Sequence, residues 1–417
     1  MAKNIVICCD GTGNEIGDTI SNVLKLYRML RKDERQRVYY NPGVGTIGSQ
    51  NAWQRLRQRA RGIFGLATGH GLDDDVLGAY QFLSKAYEEG DKVWLFGFSR
   101  GAYTVRVLAA FLDVIGLLAP DQLNLAGYAL AAYKKSSSDS QRDGAVERDS
   151  ARSEALEAAW HFGQVAAARP VRVEFIGVWD TVASVIVPRT DKLFPDLQTL
   201  RFTRTNPIVS SFRHAMAIDE RRRMFRLNWW RDPQVHRPNP YQVSSERPQD
   251  IRQVWFAGVH ADVGGGYPEK ESGLSKFPLI WMVGEATAKG LLVNSAMANH
   301  LAWGRQRSGS KHEYVVPDAM AELHDSMTPG WKVLEFLPKR TRWSELPGRR
   351  GLLGWYLPCA ERRIIPEGAT IHRAVLDRMA GRLGYKPANL PTRYQVEEHA
   401  VPPAEAFRED DEGNGAA

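Results

Sequence analysis

The segment VWLFGFSRGAY, residues 93–103, predicts a strand that runs directly into a helix, with Ser99 at the junction. The residues from Val93 to Phe98 are apolar and bulky, and a long apolar stretch typical of a helix follows over residues 102–118. A Gly-x-Ser-x-Gly junction of this kind either presents the serine hydroxyl as a nucleophile or forms an ordinary tight turn. The remaining motifs of the chain have to distinguish the two.

The two glycines of this motif are explained by a tight strand-to-helix turn. Gly97 and Gly101 carry no side chains, and they therefore permit neighbouring backbone to approach closely. Ser99 is then held at the carboxyl edge of the sheet. The helix that follows offers its leading N–H groups, among them that of Arg100, and the positive end of its dipole to a developing oxyanion. These features favour the nucleophile.

A serine hydroxyl is a poor nucleophile without a base, and the chain supplies an acid and a histidine after two later strands. The segment VEFIGVWDTVAS (173–184) places Asp180 one step past an apolar run, and VWFAGVHADVGGGY (254–267) does the same for His260. We expect His260 to take the proton from Ser99 and to return it to the leaving alcohol. Asp180 is expected to orient the imidazole and stabilise its charged form.

Three other histidines and one aspartate compete for these roles. His214 lies in SSFRHAMAIDERR (210–222), which is interpreted as a helix-like segment and as a place for a packing histidine. His324 and His372 lie in the less regular C-terminal third of the chain, and Asp219 is the rival of Asp180.

The segment CCDGTGN (8–14) is a second candidate for chemistry. An Asp-Gly-Thr run after a strand also begins haloacid-dehalogenase phosphatases, but those enzymes need an aspartate where this chain has Cys8, so that interpretation is rejected. In a hydrolase sheet, Gly11 or Thr12 is expected to donate the second oxyanion N–H, beside that of Arg100. Asp10 either braces this loop or binds a cation together with Asp262. The hydrolytic chemistry itself calls for no cofactor and no metal ion.

Strands and helices alternate along the chain, and several strands are apolar on both faces. This pattern predicts an α/β fold with a mostly parallel central sheet, helices on both faces and C-terminal elaborations over residues 300–400. Residues 1–400 are expected to form a single domain with a polar insertion near 134–153. The acidic tail, residues 401–417, is expected to be disordered.

The charge balance limits the classes of partner. The net charge is +7, from 55 basic and 48 acidic residues, which suits an anionic substrate or a membrane surface and does not predict a nucleic-acid partner. The segment 53–64 mixes aromatic and aliphatic residues with four arginines, and it is either an interfacial segment or a solvated basic helix. GVGTIG (43–48) matches a dinucleotide-binding pattern, but no acidic residue ends a second strand about twenty positions later, so no dinucleotide site is expected.

The termini and the cysteines bear on location. The N-terminus enters a strand-like run with no signal-peptide pattern, and no uncharged apolar stretch reaches the roughly 18 residues of a membrane span. Cys8 and Cys9 are adjacent on one strand, so their side chains are expected to point to opposite faces, and Cys359 is the third cysteine. A disulfide framework is therefore not expected, and we place the protein in the cytoplasm of the cell that makes it.

Together these motifs resemble one known family. It is the α/β-hydrolase domain family that includes the first class of type VI secretion lipase effectors. The resemblance covers residues 3–391 approximately, and it is carried by the segments CDGTGN, YYNPGVGT, AYQFL, GDKVWLFGFSRGAYTVR, GVWDTV, RHAMAIDERR, GVHADVGGGY, IHRAVLDRM and YKPANLP. The resemblance implies phospholipase or other ester hydrolysis by a Ser–Asp–His triad, which maps onto Ser99, Asp180 and His260.

The resemblance also implies partners. A lipid or ester substrate is expected, with contact to a membrane surface, and some members are antibacterial effectors that meet secretion machinery and an immunity protein. An effector of this kind leaves the cell without a signal peptide. Two alternatives stay open at this point: a soluble carboxylesterase for small esters, and a binding module without catalytic activity.

Overall fold

The computed structural model defines the fold over most of the chain. It describes residues 2–11, 19–43, 71–138, 147–182, 185–187, 196–198, 200, 202–238, 243–336, 338–340 and 355–400. Thr12, nearly all of the GVGTIG segment, the basic segment 53–64 and the tail 401–417 lie outside these residues. Among the described helices, none combines the length and the apolar character that are needed to cross a bilayer.

Eight strands form the central sheet. Their bounds are β1 (Asn4–Cys9), β2 (Gln36–Asn41), β3 (Lys92–Phe98), β4 (Val173–Trp179), β5 (Val209–Ala217), β6 (Asp250–Phe256), β7 (Thr370–His372) and β8 (Gln395–Glu397). The order across the sheet is β8-β7-β6-β5-β4-β3-β1-β2. The pairs β1/β2, β1/β3, β3/β4, β6/β7 and β7/β8 are parallel, so the predicted mostly parallel α/β sheet is confirmed.

Ten helices accompany these strands. They are α1 (Asn22–Met29), α2 (Leu72–Ala86), α3 (Arg100–Val114), α4 (Ala126–Ser138), α5 (Glu147–Val165), α6 (His260–Gly264), α7 (Lys276–Thr287), α8 (Ser295–Leu301), α9 (Pro329–Glu335) and α10 (Arg373–Gly381) within the described ranges. Short antiparallel ladders pair residues 185–187 with 196–198, 235–236 with 247–248, and 339–340 with 355–356. Short 3₁₀ helices occur at Pro120–Leu125, Arg223–Phe225, Val243–Ser245 and Glu269–Glu271.

The chain divides into two compact units. The first comprises residues 1–15, 33–214 and 224–252, and the second comprises residues 16–32, 215–223 and 253–417. The single-domain organisation expected for residues 1–400 from the sequence stays a prediction. The polar insertion begins and ends in helices, because α4 extends to Ser138 and α5 starts at Glu147.

The core of the first unit lies between its strands and helices α2 and α3. Helix α2 begins with the acidic turn Asp73–Asp75, which complements the helix dipole, and it buries one apolar face through Val76, Tyr80 and Leu83. Helix α3 is buried over nearly its whole length. A parallel sheet whose strands are apolar on both faces must be covered by helices. Here α2 contributes one apolar face, and α3 is buried almost completely.

In the second unit, a buried ion cluster ties helix α1 to helix α7. The side chains of Lys25 and Lys276 are fully buried, and both contact the carboxylate of Glu269, at 2.8 Å and 2.5 Å. Burial lowers the pKa of Lys276 to about 7, and the positive charge of Lys25 lowers it further against the opposing effect of Glu269. Ser21 caps α1, since its hydroxyl accepts the Leu24 N–H at 3.1 Å.

One prediction about local structure was wrong. The segment SSFRHAMA forms strand β5 and not a helix, and its residues are buried on both faces except Ser210. A strand covered on both faces has no polar alternation, so periodicity cannot separate it from a buried helix segment. The free cysteines expected from the sequence are present, with Cys8 and Cys9 buried and Cys359 exposed.

The glycines around Ser99 allow a close approach that no other residue permits. A Cβ atom on Gly101 would lie 2.1 Å from the carbonyl oxygen of Cys9 and 2.5 Å from that of Asp10. A Cβ atom on Gly97 would lie 2.5 Å from the carbonyl oxygen of Gly101. The first turn of α3 therefore rests directly on the end of β1, as the Gly-x-Ser-x-Gly motif predicts.

We expect Gly101→Ala to lower the free energy of unfolding by about 3 kcal/mol, because backbone atoms of β1 must move to admit the methyl group. The matched control is Gly127→Ala in α4, where a Cβ atom would meet nothing within 4 Å. That substitution should stabilise the protein by about 0.5–1 kcal/mol through helix propensity. Urea unfolding measures both variants, and equal stability of the Gly101 variant and the wild type would contradict the close approach.

Candidate active site

Ser99 occupies a strained turn between β3 and α3. Its backbone has φ 56° and ψ −120°, in the positive-φ region that residues other than glycine rarely adopt. The Ser99 N–H donates to the Trp179 carbonyl at 3.1 Å, so the turn stays bonded to the end of β4. Backbone strain of this kind persists where the surroundings impose it, and it is concentrated at functional sites.

The register of the first unit brings three polar residues to one edge of its strands. Cys9 pairs with Gly97, and Phe98 pairs with Trp179. The residues that follow β1, β3 and β4 are Asp10, Ser99 and Asp180, so all three lie at the carboxyl end of neighbouring parallel strands. This edge is where ligands bind in open α/β sheets.

Asp10 braces the loop that follows β1. One carboxylate oxygen accepts the Gly11 N–H at 2.7 Å, and the other accepts the Tyr40 hydroxyl at 2.9 Å. Burial raises the pKa of Tyr40, and the charge of Asp10 adds to this. The Gly11 N–H, expected from the sequence to face an oxyanion, is thus directed at Asp10 in this arrangement, and Thr12 lies outside the described residues.

The side chain of Arg100 anchors the start of α3 to α2 through Asp75. Its guanidinium donates to Asp75 at 3.2 Å, and Asn41 donates to the other oxygen of Asp75 at 3.0 Å. Burial lowers the pKa of Arg100 and raises that of Asp75, so desolvation outweighs their attraction. The backbone N–H of Arg100 belongs to the first turn of α3 and has no acceptor within the helix.

A buried polar clamp holds the residue after Asp180. Asp180 is fully buried and has φ 39°, a second strained position at this edge. The Thr181 N–H donates to Nε2 of His214 at 3.2 Å, and the Thr181 carbonyl accepts the Asn228 N–H at 3.1 Å. With both of its backbone polar groups bonded, Thr181 keeps Asp180 in its unusual conformation.

Arg106 links this clamp to the helix that starts at Ser99. Its guanidinium donates to the Asn228 carbonyl at 2.6 Å and lies 3.4 Å from Nδ1 of His214. It also packs over the rings of Phe212 and Trp230, which are stacked on each other. Burial lowers the pKa of Arg106 to about 9. The sequence shows an arginine inside an apolar helix, which is the signal for a buried cation with specific partners.

His260, in the second unit, begins the short helix α6. Its side chain is buried, and its backbone N–H donates to Oε2 of Glu220 at 3.2 Å. The Asp262 carboxylate accepts the N–H of Val259 at 3.0 Å and so caps the same turn. Gly258 has φ 110°, and a Cβ atom there would lie 2.3 Å from that of Asp262. The strand-to-helix turn at His260 thus depends on a glycine, as does the one at Ser99.

Glu220 is a buried acid whose role the sequence did not reveal. Burial opposes its ionisation, but the hydrogen bond and charge of Arg222 outweigh this and hold the pKa of Glu220 at about 2. Its oxygens also accept the Ser326 hydroxyl at 3.2 Å and two backbone N–H groups of the Arg221–Arg222 turn. The available signal was its position in the charged run that directly follows the apolar strand β5.

His324 supports Asp262. Its Nδ1 lies 2.7 Å from Oδ1 of Asp262, its Nε2 lies 3.4 Å from Oε2 of Glu271, and its ring stacks on Tyr267 with centroids 3.5 Å apart. The hydrogen bond to Asp262 raises the pKa of His324, against a smaller opposing effect of burial. Two carboxylates around one imidazole favour the imidazolium.

The two remaining rivals make structural contacts. His372 caps α10 by accepting the Ala374 N–H at 3.2 Å, and burial lowers its pKa to about 3. Asp219 accepts the Gly258 N–H and the Tyr385 hydroxyl, both at 2.8 Å, and burial raises its pKa. The described residues contain no group of three or more histidine, cysteine or acidic side chains arranged to hold a metal ion.

A strained serine between a parallel strand and a helix, with glycines on both sides, has the same form as the strand-to-helix turn of the α/β-hydrolase class. Residues 3–285 match the model of the catalytic domain of type VI secretion system (T6SS) Tle1-like phospholipase effectors. The chain belongs to this family.

The chain is also similar to individual proteins of known sequence or structure. The chain is 34% identical over 232 residues to the protein YEL023C of Saccharomyces cerevisiae. The matched region covers 54% of this chain and 32% of that protein. The chain thus spans about a third of the length of this curated relative. A protein from Pseudomonas aeruginosa of solved structure is 19% identical over 70% of this chain and 46% of its own, with a TM-score of 0.36. A Tle1 effector whose structure was solved bound to the VgrG spike is 18% identical over 66% of this chain and 53% of its own, with a TM-score of 0.33.

The ion pairs of His324 predict a pH-dependent stability. Because the folded protein holds this proton more tightly than the unfolded chain, the contribution is complete below about pH 6.5 and is lost as pH rises through the raised pKa. His324→Gln should therefore cost about 1 kcal/mol of unfolding free energy at about pH 5.5 and much less at about pH 8.5. His312→Gln, which changes an exposed ring, is the control and should show no such difference. A His324 deficit that grows with pH would contradict the assignment.

Proposed function

We propose that the chain is a serine hydrolase that cleaves lipid esters, with glycerophospholipids as its substrates. The observation that carries the proposal is the strained Ser99 at the start of α3, held at the carboxyl edge of parallel strands in a chain of the Tle1-like family. A turn of this geometry places a hydroxyl beside helix N–H groups, which is the arrangement that acyl transfer needs.

The proposed triad is Ser99, Asp180 and His260. The Ser99 oxygen attacks the ester carbonyl while His260 accepts the hydroxyl proton, and the proton then passes to the departing alcohol. Water, activated by the same histidine, hydrolyses the acyl-enzyme and regenerates the serine. Asp180 orients the imidazole and stabilises its charged form.

In this proposal, two backbone N–H groups stabilise the oxyanion that forms on the substrate. The Arg100 N–H, at the positive end of the α3 dipole, is the first. The second is proposed on the loop after β1, from Gly11 or Thr12. Gly11 can serve only after its N–H leaves the Asp10 carboxylate, so a rearrangement of this bond would accompany substrate binding.

The family also suggests a setting for this chemistry. We extend the proposal to an effector that is made in the cytoplasm, carried by secretion machinery, acts at a membrane surface of a target cell, and is neutralised by an immunity protein. The hydrolase proposal does not depend on this extension, because the family match concerns a catalytic domain. Delivery and chemistry are therefore tested separately.

Ser99→Ala should abolish release of fatty acid from phospholipid vesicles, because loss of a triad member typically lowers the rate by several orders of magnitude. The matched control is Ser84→Ala, which removes a buried hydroxyl of the same unit and should retain activity. Mass spectrometry of the lipid products identifies the bond that is cleaved. Wild-type turnover in a folded Ser99 variant, or failure of the wild type to react with a serine-directed phosphonate, would refute the nucleophile.

His260→Ala should lose activity about as fully as Ser99→Ala, and the double variant should be little slower than either. The wild-type rate should rise with pH through an ionisation typical of histidine, because the base must be neutral. His324→Ala and His372→Ala should keep far more activity when assayed at a temperature at which they are folded. If one of these is as inactive as His260→Ala while folded, the base has been misassigned.

Activity on monomeric esters equal to that on vesicles would indicate a small-molecule carboxylesterase. Activity should also survive chelation of divalent cations, since the proposed nucleophile is a side chain. Complete loss on chelation, restored by one metal, would transfer the chemistry to a metal-bound water.

A further inference from the structure

A cleft of about 410 Å³ opens in the first unit at the far end of helix α3. Its lining combines two acids, two aromatic rings and two aliphatic side chains, namely Asp113, Glu157, Trp160, Phe202, Val114 and Leu156. The volume falls within the range of sites for small ligands. Asp113 lies 14 residues after Ser99 along α3, which places it about 20 Å away along the helix axis. The cleft is therefore separate from the serine turn.

Asp113 is the unusual member of this lining. It is partly buried, and within the described part of the chain its carboxylate makes no hydrogen bond and no ion pair. Other partly buried carboxylates of the same unit have partners, for example Asp75 with Arg100 and Asn41. Burial raises the pKa of Asp113 to about 7, and only the charge of Arg237 opposes this. A partly buried carboxylate without an ionic partner gains from a cation that enters the cleft, because the cation replaces the water that burial has removed.

The aromatic residues add a preference for positive charge. Trp160 is 48% exposed, which is high for so large a ring on a packed helix. Phe202 has φ 59°, a conformation that is an outlier for a bulky residue and is retained only where the surroundings impose it. The faces of such rings attract cations, and Val114 and Leu156 offer apolar contact beside them.

We propose that this cleft binds a primary alkylammonium group. The ammonium would donate hydrogen bonds to Asp113 and Glu157, its charge would face the Trp160 ring, and its alkyl stem would contact Val114 and Leu156. An ammonium with three N–H donors can form hydrogen bonds with these carboxylate oxygens, whereas a quaternary ammonium has no N–H to donate. Two sources share this chemistry: a free amine such as ethanolamine, and the ethanolamine headgroup of a phospholipid.

The charges around Asp113 determine the pH dependence of binding. Glu157 on α5 lines the same cleft, and its Oε1 lies 3.6 Å from Nε2 of His161. Burial raises the pKa of Asp113, and the positive charge of Arg237, which directly follows residues 235–236, opposes this. A bound cation favours the ionised form of Asp113, so binding displaces its proton. The affinity should consequently fall about tenfold from about pH 8 to about pH 6, as Asp113 becomes protonated.

The test titrates the Ser99→Ala protein, which lacks the proposed nucleophile, with ethanolamine, choline and 1-propanol by ligand-observed NMR. Saturable ethanolamine binding that is at least several-fold tighter than choline binding is expected, with no binding of the neutral alcohol. Asp113→Asn should weaken ethanolamine binding at least tenfold and remove the dependence on pH. The matched control Asp121→Asn removes an exposed carboxylate of the same unit and should leave the affinity unchanged.

A vesicle arm distinguishes the two sources. The same proteins are sedimented with phosphatidylcholine vesicles that contain or lack phosphatidylethanolamine. Retention that requires both phosphatidylethanolamine and Asp113 assigns the site to a lipid headgroup, whereas ethanolamine binding without such retention assigns it to a free amine. Absence of both, equal binding of 1-propanol, or binding that survives Asp113→Asn would overturn the proposal. None of these outcomes depends on hydrolysis, so the cleft and the proposed hydrolase stand or fall separately.

Discussion

The structure depends on the contact between the first turn of α3 and the end of β1. The α-carbon of Gly101 lies so close to the carbonyl groups of Cys9 and Asp10 that even a methyl group would overlap them. This contact determines where the helix begins and therefore how sharply the chain must turn at Ser99. Ser99 has a positive φ at this turn, and backbone strain of this kind persists where close surroundings such as the Gly101 contact hold the chain.

The same edge of the first unit carries a second strained residue, Asp180, and buried polar contacts offset both. Arg106 reaches from α3 to the Asn228 carbonyl, and Thr181 is bonded to His214 on β5 and to Asn228. Burying the Arg106 guanidinium costs free energy because the charge loses its hydration. The carbonyl groups and aromatic faces around it replace that hydration with hydrogen bonds and cation–π contacts. The clamp thus links the helix behind the serine to the turn that carries the acid.

The strands β1, β3, β4 and β6, the serine turn and the polar residues that follow these strands could be predicted from the sequence. These features depend on neighbours a few positions apart, such as the apolar run before Ser99 and the glycines beside it. The segment around His214 could not be assigned correctly, because a strand buried on both faces lacks the alternation that identifies strands. Glu220 and Asp75 were missed for another reason: their partners are determined by packing between elements, which periodicity does not record.

The sequence by itself determined the turn chemistry, since Gly97, Ser99 and Gly101 act on backbone within one turn of the chain. Only the tertiary structure decided which polar groups are satisfied and which are not. It directs the Gly11 N–H to Asp10, makes His372 a helix cap, and leaves Asp113 at a cleft with no described partner. The physical reason is that hydrogen bonding and desolvation depend on neighbours that are distant in sequence, and the order and register of the strands bring those neighbours together.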